Sequence, residues 1–310
     1  MANLGIEFCG VKFKNPTVLA SGILGITGSS LANVVKNGAG GVTTKSVWLE
    51  PHKGHPGPII TATENYMLNA VGLPDGGIEK AKEEIAQYRK LTDAPLIGNI
   101  VAYSLENFEE LTAKITEFKP DILEVNISCP NVESEFGTPF ACVAGDAARV
   151  TKEVKKALKK VAPKLPVTVK LSPNVENIVE IAKAVVDAGA DGLTVMNTVG
   201  PGMAINIESR TPILANRVGG LSGPSLKPLA VKFIYSIRQA LPEIPIIGTG
   251  GVLTGEDAIE MMMAGATLVG IGTGVYYRGV EVFGLAAAEM NAWCTANKVK
   301  KLSSLIGTVK

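Results

Sequence analysis

The stretch NVENIVEIAKAVVDAGADGLTVM, residues 174–196, holds one complete unit of the fold. Ile178, Ile181, Ala182 and Val185 recur at i, i+3, i+4 and i+7, the apolar stripe of an amphipathic helix that we place from Asn174 to Ala188. Gly189 follows the last turn, where a glycine can take the left-handed conformation that closes a helix. Leu193-Thr194-Val195-Met196 is then a short apolar run with the character of a buried strand. The cadence returns twice. Asn37-Gly38-Ala39-Gly40-Gly41 leads into Val42-Thr43-Thr44, and Ala264-Gly265-Ala266-Thr267 leads into Leu268-Val269-Gly270-Ile271. Helix, glycine stop and buried strand, repeated, make the βα unit of a parallel sheet.

Working outward gives eight candidate strands: Thr17–Ala20, Gly41–Thr44, Leu96–Ile100, Ile122–Val125, Val167–Val169, Leu193–Met196, Ile244–Gly248 and Leu268–Ile271. Eight such units favour an α/β fold closed as a (β/α)8 TIM barrel over an open sheet. Leu4–Lys14, with a turn near Cys9-Gly10, reads as a hairpin plugging the bottom. Two segments are too long for plain connections: Gly200–Ser225, rich in Gly and Pro and read as a lid or subdomain, and Gly54–Gly77. We therefore expect residues 1–310 to form one domain with insertions over the C-terminal mouth.

Composition narrows the function classes. The 310 residues are 46% hydrophobic but only 5% aromatic, so the core is aliphatic. A net charge of +1 with 19% charged residues excludes a disordered chain and gives no basic excess for nucleic acid. The longest uncharged stretch, Asn15 to Val35, carries too many polar side chains to cross a membrane. The N-terminus has no basic region followed by an apolar run, so no secretory signal is expected and the protein is read as cytoplasmic. Cys9, Cys129, Cys142 and Cys294 are far apart, which argues against a disulfide scaffold or a zinc knuckle.

Barrel enzymes build their sites at the C-terminal ends of the strands. Those ends read Ser21, Lys45-Ser46, Asn99, Asn126, Lys170, Asn197-Thr198, Thr249-Gly250-Gly251 and Gly272-Thr273. Strand ends are polar wherever they meet water, but two lysines after apolar or β-branched runs fit a site better. Gly248–Gly251 and Gly270–Gly274 fall in the last two units, where barrels often bind phosphate; the alternative is ordinary turn glycine. Neither completes GxGxxG, so no Rossmann site is supported. Lys170 is either a fixed cation near the N1 side of a flavin or the partner of a buried carboxylate, Glu124. Cys129, in polar surroundings after the fourth strand, is placed to serve as a base with modest tuning of its thiol; Cys9 and Cys294 read as inert. His52 and His55 lack a helix to align them and read as part of a surface loop.

Several of these stretches resemble class 1 dihydroorotate dehydrogenase. They are Val125–Asn131, Asn69-Ala70-Val71-Gly72-Leu73, Lys170-Leu171-Ser172-Pro173-Asn174, Ile213–Asn216, Gly219–Gly223 and Ile246–Gly251. The similarity runs from about Leu4 to Ile306, and the LSPN and GGLSG versions look closest to class 1B, the NAD-linked branch. The resemblance implies an FMN-containing barrel that oxidises dihydroorotate to orotate in pyrimidine synthesis. By position, Cys129 matches the base that takes the C5 proton while hydride leaves C6. Lys45, Asn69, Ala70, Val71, Gly72, Leu73, Asn126, Asn131, Asn197 and Thr198 match the substrate cradle. Ser21, Lys45, Ser46, Asn99, Asn126, Lys170, Met196, Gly223, Gly250, Gly251, Gly272 and Thr273 match the FMN site. Val132–Phe136 departs from the family pattern by looking short before Gly137-Thr138.

Class 1B members use a second subunit carrying FAD and a [2Fe–2S] cluster to reach NAD. With no cysteine cluster of its own, this chain is expected to form a homodimer core to which such subunits attach, as a heterotetramer. Two competing readings are another FMN-barrel pyrimidine reductase, such as a dihydropyrimidine or dihydrouridine reductase, and a non-catalytic flavin-binding subunit.

Overall fold

The structure, a computed structural model, describes residues 2–128 and 140–309. Eight strand–helix pairs follow one another: β1 Thr17–Leu19 and α1 Gly28–Lys36, β2 Gly41–Thr43 and α2 Gly77–Leu91, β3 Leu96–Ile100 and α3 Leu105–Thr116, β4 Ile122–Asn126 and α4 Ala144–Val161. The second half holds β5 Val167–Lys170 and α5 Ile178–Asp187, β6 Gly192–Val195 and α6 Lys227–Ala240, β7 Ile246–Thr249 and α7 Gly255–Ala264, β8 Leu268–Ile271 and α8 Val282–Ala296. Each strand lies parallel to the next, and β8 pairs with β1 through Val269↔Thr17, Gly270↔Val18 and Ile271↔Leu19. The barrel is therefore closed.

The apolar periodicity sets which helix faces are buried. In α5 the buried residues are Ile178, Ile181, Ala182 and Val185, the stripe seen in the sequence. That helix begins four residues later than expected. Asn177 caps it by accepting from the N–H groups of Val179 and Glu180, whereas the Asn174 side chain accepts from Gly200 N at 3.0 Å. The seventh strand also starts later than expected, after Pro245, which has no N–H to give a ladder and offers its carbonyl to Leu193 N instead. The helix-stop glycines Gly38, Gly189 and Gly265 all have positive φ.

The N-terminal hairpin pairs Ile6–Phe8 with Val11–Phe13, and Cys9 and Gly10 both take positive φ, as a two-residue turn between right-twisted strands requires. A Cβ on Gly192 would stand 3.0 Å from Phe8, and one on Gly41 2.6 Å from Phe13. Those glycines open β6 and β2, so the hairpin seals the N-terminal end. Burial pushes the Cys9 thiol up to about 12, consistent with an inert role.

The two long insertions form one object rather than two loops. Ile60–Ala62 and Met67–Asn69 from the first, with Val199–Gly202 and Gly219–Ser222 from the second, make a four-stranded antiparallel sheet over the mouth. Leu68, Ala70 and Leu214 form a small core beneath it. No described helix is long and apolar enough to cross a membrane.

Candidate active site

Side chains of alternate strand residues point the same way, so Glu124 and Asn126 of β4 enter the barrel with Asn99 of β3, Thr168 and Lys170 of β5 and Thr194 of β6. These side chains are almost fully buried. Glu124 accepts from Asn99 Nδ2 and from Thr194 Oγ1, each at 2.5 Å. Its two oxygens are thus engaged in a polar layer across the barrel. Lys170 stands one step higher and donates from Nζ to Ser21 Oγ at 2.8 Å. Asn126 Nδ2 donates to Ser46 Oγ at 3.0 Å. Asn126 Oδ1 accepts from Ser128 Oγ at 2.8 Å, and Asn197 Nδ2 donates to the same Ser128 hydroxyl at 2.7 Å.

Above this layer, the strand ends and the inserted sheet enclose a cavity of about 470 Å³. Lys45 and Lys170 both line it, yet they are only 6% and 5% exposed. Water at the strand ends therefore does not account for them. An ammonium held this far from water is costly unless an anion or other partner joins it. The Lys45 ammonium has no hydrogen-bond or ion-pair partner among the described residues, and burial holds its pKa below the usual lysine range against the opposing pull of Asp75. Burial likewise raises the Asp75 carboxyl, although backbone N–H groups of Trp48 and Gly77 and the charge of Lys45 act the other way.

Two stretches of backbone face the same cavity with N–H groups to spare. Val71, Gly72 and Leu73 line it, and their N–H groups meet no acceptor among the described residues. The same is true of Gly250, Gly251, Gly272 and Thr273. Gly250 and Gly251 have φ of 138° and 77° in succession, and a Cβ on Gly251 would lie 2.7 Å from Lys227 N. Only glycine fits there, so no side chain covers the backbone N–H groups that this loop turns out. Thr249, at the head of this loop, has a buried Oγ1 with no partner. Unsatisfied donors, an unsatisfied hydroxyl and two buried cations in one cavity fit a group that is both phosphorylated and polar along its edge, as FMN is.

Of the residues expected on the substrate side, Lys45, Asn69, Val71, Gly72, Leu73, Asn126, Asn197 and Thr198 line the cavity. So do Ser21, Ser46, Lys170, Met196, Gly223, Gly250, Gly251, Gly272 and Thr273 from the cofactor side. Ala70 does not; it belongs to the small core under the inserted sheet. Asn99 lies in the polar layer beneath, with its Oδ1 unpaired. Cys129, Asn131 and Val132–Phe136 lie outside the described residues. Ile60, Ser222, Val275 and Tyr276 also line the cavity; nothing in their local pattern marks them, because the assembly of the inserted sheet and of the short helix Gly274–Arg278 places them there. His52 and His55 are not a bare surface loop. Both are half-buried, and each has a ring nitrogen on a carbonyl of the segment 70–73.

A sequence model of the family described as dihydroorotate dehydrogenase matches residues 3–293. A protein of Methanocaldococcus jannaschii named dihydroorotate dehydrogenase B (NAD(+)), catalytic subunit, is 47% identical over 283 residues, covering 90% of each chain. Proteins with the same name are similar in Alkaliphilus oremlandii, 45% identical over 87% of each chain, and in Methanothermobacter thermautotrophicus, 38% identical over 98% of this chain and 97% of that one. With a closed eight-stranded barrel and a family match over nearly its whole length, the chain belongs to the dihydroorotate dehydrogenase family.

Proposed function

We propose that this chain is the catalytic subunit of an NAD-linked dihydroorotate dehydrogenase, oxidising (S)-dihydroorotate to orotate in pyrimidine synthesis. The observation that carries the reading is one cavity with two separate sets of unsatisfied anion-binding groups. One set is Lys45 with the N–H groups of Val71, Gly72 and Leu73, suited to the carboxylate of a small substrate. The other is the Gly250-Gly251 and Gly272-Thr273 backbone, suited to the phosphate of FMN. When bound, FMN supplies the acceptor for the hydride leaving C6 of the substrate.

The chain's own residues do the rest. Asn69, Asn126 and Asn197 offer amide groups that match the donor and acceptor edges of a dihydropyrimidine ring. Lys170 supplies a fixed positive charge, which we assign to the N1 side of the flavin; Glu124 is committed to Asn99 and Thr194. Cys129 acts as the base: its thiolate takes the C5 proton, and the C5–H electron pair becomes the new C5=C6 π bond. Asn126 and Asn197 anchor Ser128, the residue immediately before it. Asn99, which gives its Nδ2 to Glu124 and keeps its Oδ1 without a partner, is assigned to the cofactor side.

Electrons leave for NAD through a separate subunit carrying FAD and a [2Fe–2S] cluster, attached to a homodimer core to form a heterotetramer. The assembly works in the cytoplasm without nucleic acid or membrane. The test is steady-state turnover of the FMN-loaded chain. Orotate formation with an artificial dye as acceptor, and no NAD reduction until the second subunit is added, is the expected result. Turnover of other dihydropyrimidines but not dihydroorotate would move the chain to another pyrimidine reductase class, and rapid unaided NAD reduction would remove the partner.

A further inference from the structure

The segment Ala70–Leu73 is held in an unusual conformation by residues outside the cavity. Gly72 has φ of 75° and Leu73, which is not a glycine, has φ of 50°, a region that L side chains seldom adopt. Such backbone persists only where surrounding contacts over-determine it. Here the contacts converge on the carbonyls. Trp48 Nε1 donates to Leu73 O at 3.0 Å, and His52 Nδ1 meets the same oxygen at 3.2 Å. His55 donates from its backbone N to Val71 O at 3.1 Å and places Nδ1 3.0 Å from Ala70 O. A carbonyl only accepts, so Nδ1 of His52 carries its proton. On the far side of that ring, Nε2 meets the Tyr103 hydroxyl at 2.8 Å. The Trp48 ring stacks on those of both His52 and Tyr103, with centroids 4.7 and 4.5 Å away, and the latter two rings lie 6.2 Å apart beside each other. His52 is also bridged to Asp75 through a reciprocal pair of backbone hydrogen bonds of 2.9 Å.

We propose that Trp48 and His52 are positioning residues for the substrate-binding segment: by sharing the Leu73 carbonyl they hold the backbone in the one arrangement that leaves the N–H groups of Val71, Gly72 and Leu73 open to the cavity. Neither side chain lines the cavity, so neither touches the substrate. The effect on binding rests on the reading that this segment takes the substrate carboxylate; the effect on the segment itself does not. Losing the His52 donor lets the Leu73 peptide relax toward negative φ. The three N–H groups then lose their fixed places in the cavity wall, and binding of the anion weakens while the reacting groups stay in place.

The experiment compares the FMN-loaded wild type with His52→Ala, His52→Asn and Trp48→Phe. Asn carries an N–H group about where Nδ1 sits, and Phe keeps the stack without the indole N–H. Hydrogen exchange at the two bonded amides that flank the open ones, Ala70 N on Ile59 O and Asp75 N on His52 O, is measured without substrate, and KM and kcat are measured with dihydroorotate. Faster exchange in H52A and W48F, near-normal exchange in H52N, and a KM raised roughly five- to tenfold in H52A with kcat changed less than twofold are expected. Unchanged exchange in H52A and W48F, or H52N as impaired as H52A, would overturn the proposal. If exchange responds as stated but the wild type does not act on dihydroorotate, the positioning role stands and the assignment of the substrate falls.

Discussion

Lys45 is 6% exposed, its ammonium has no partner among the described residues, and burial depresses its pKa. Lys45→Met keeps most of the stem and removes the charge, which should move stability and binding in opposite directions. Without ligand, an uncompensated buried charge is replaced by an apolar end, a gain of about 1–3 kcal/mol. At roughly 2.1 cal/mol/K per residue, that raises the melting midpoint of a 310-residue chain by about 2–5 °C. The sign with pH follows from the depressed value. The unfolded lysine holds its proton to higher pH than the folded one, so the wild type gains stability as pH rises from Lys45's depressed pKa toward 10.5, and its deficit against the variant narrows. For binding, a charge-assisted contact worth about 1.5–3 kcal/mol is lost, which weakens orotate roughly 10- to 150-fold. The assays are scanning calorimetry of the FMN-free protein and a visible difference-spectrum titration of the FMN-loaded protein with orotate. A variant less stable than the wild type, or one that binds orotate within threefold of it, refutes the assignment of Lys45 as a cation kept unpaired for the ligand.

Asp75 raises the pKa of Lys45 from nearby. In Asp75→Asn, whose Oδ1 can still accept from Trp48 and Gly77, orotate affinity should therefore start to fall at a lower pH than in the wild type; an unshifted pH profile would contradict this. Gly251→Ala forces a side chain onto φ of 77° and to 2.7 Å from Lys227 N. It should cost about 2–4 kcal/mol and release FMN on gel filtration, and full retention of the flavin would show that this loop does not hold it. Cys129→Ser should keep the yellow colour while slowing flavin reduction by dihydroorotate about 10²- to 10⁴-fold at neutral pH, measured by anaerobic stopped flow. Wild-type rates would remove Cys129 from the role of base.

How far the sequence could be read depended on how local the signal was. The barrel strands were legible because each is a short apolar run after a glycine stop, and that information lies within some twenty residues, as in 174–196. Their ends slipped where a side chain had a better use elsewhere: Asn174 serves Gly200, so Asn177 becomes the cap. Strand-end polarity brought out Lys45, Asn126, Lys170 and the Gly250-Gly251 turn, because the barrel rule converts chain position into a place at the mouth. The inserted sheet was not legible as a sheet. Its two halves are about 150 residues apart, and pairs such as Gly220↔Asn69 leave no periodic trace in Gly-rich chain. The brace on Leu73 was hidden for the same reason. HxxH in a loop says nothing until Trp48, Tyr103 and the segment 70–73 are brought around it.

The most direct test is an anaerobic visible spectrum of the FMN-loaded chain before and after dihydroorotate is added. The flavin band near about 450 nm should bleach at once, with one orotate formed per flavin. A protein that holds its flavin but keeps the band in the presence of dihydroorotate would contradict the assignment of that compound as substrate. A chain that takes up no flavin would contradict the reading of the whole cavity.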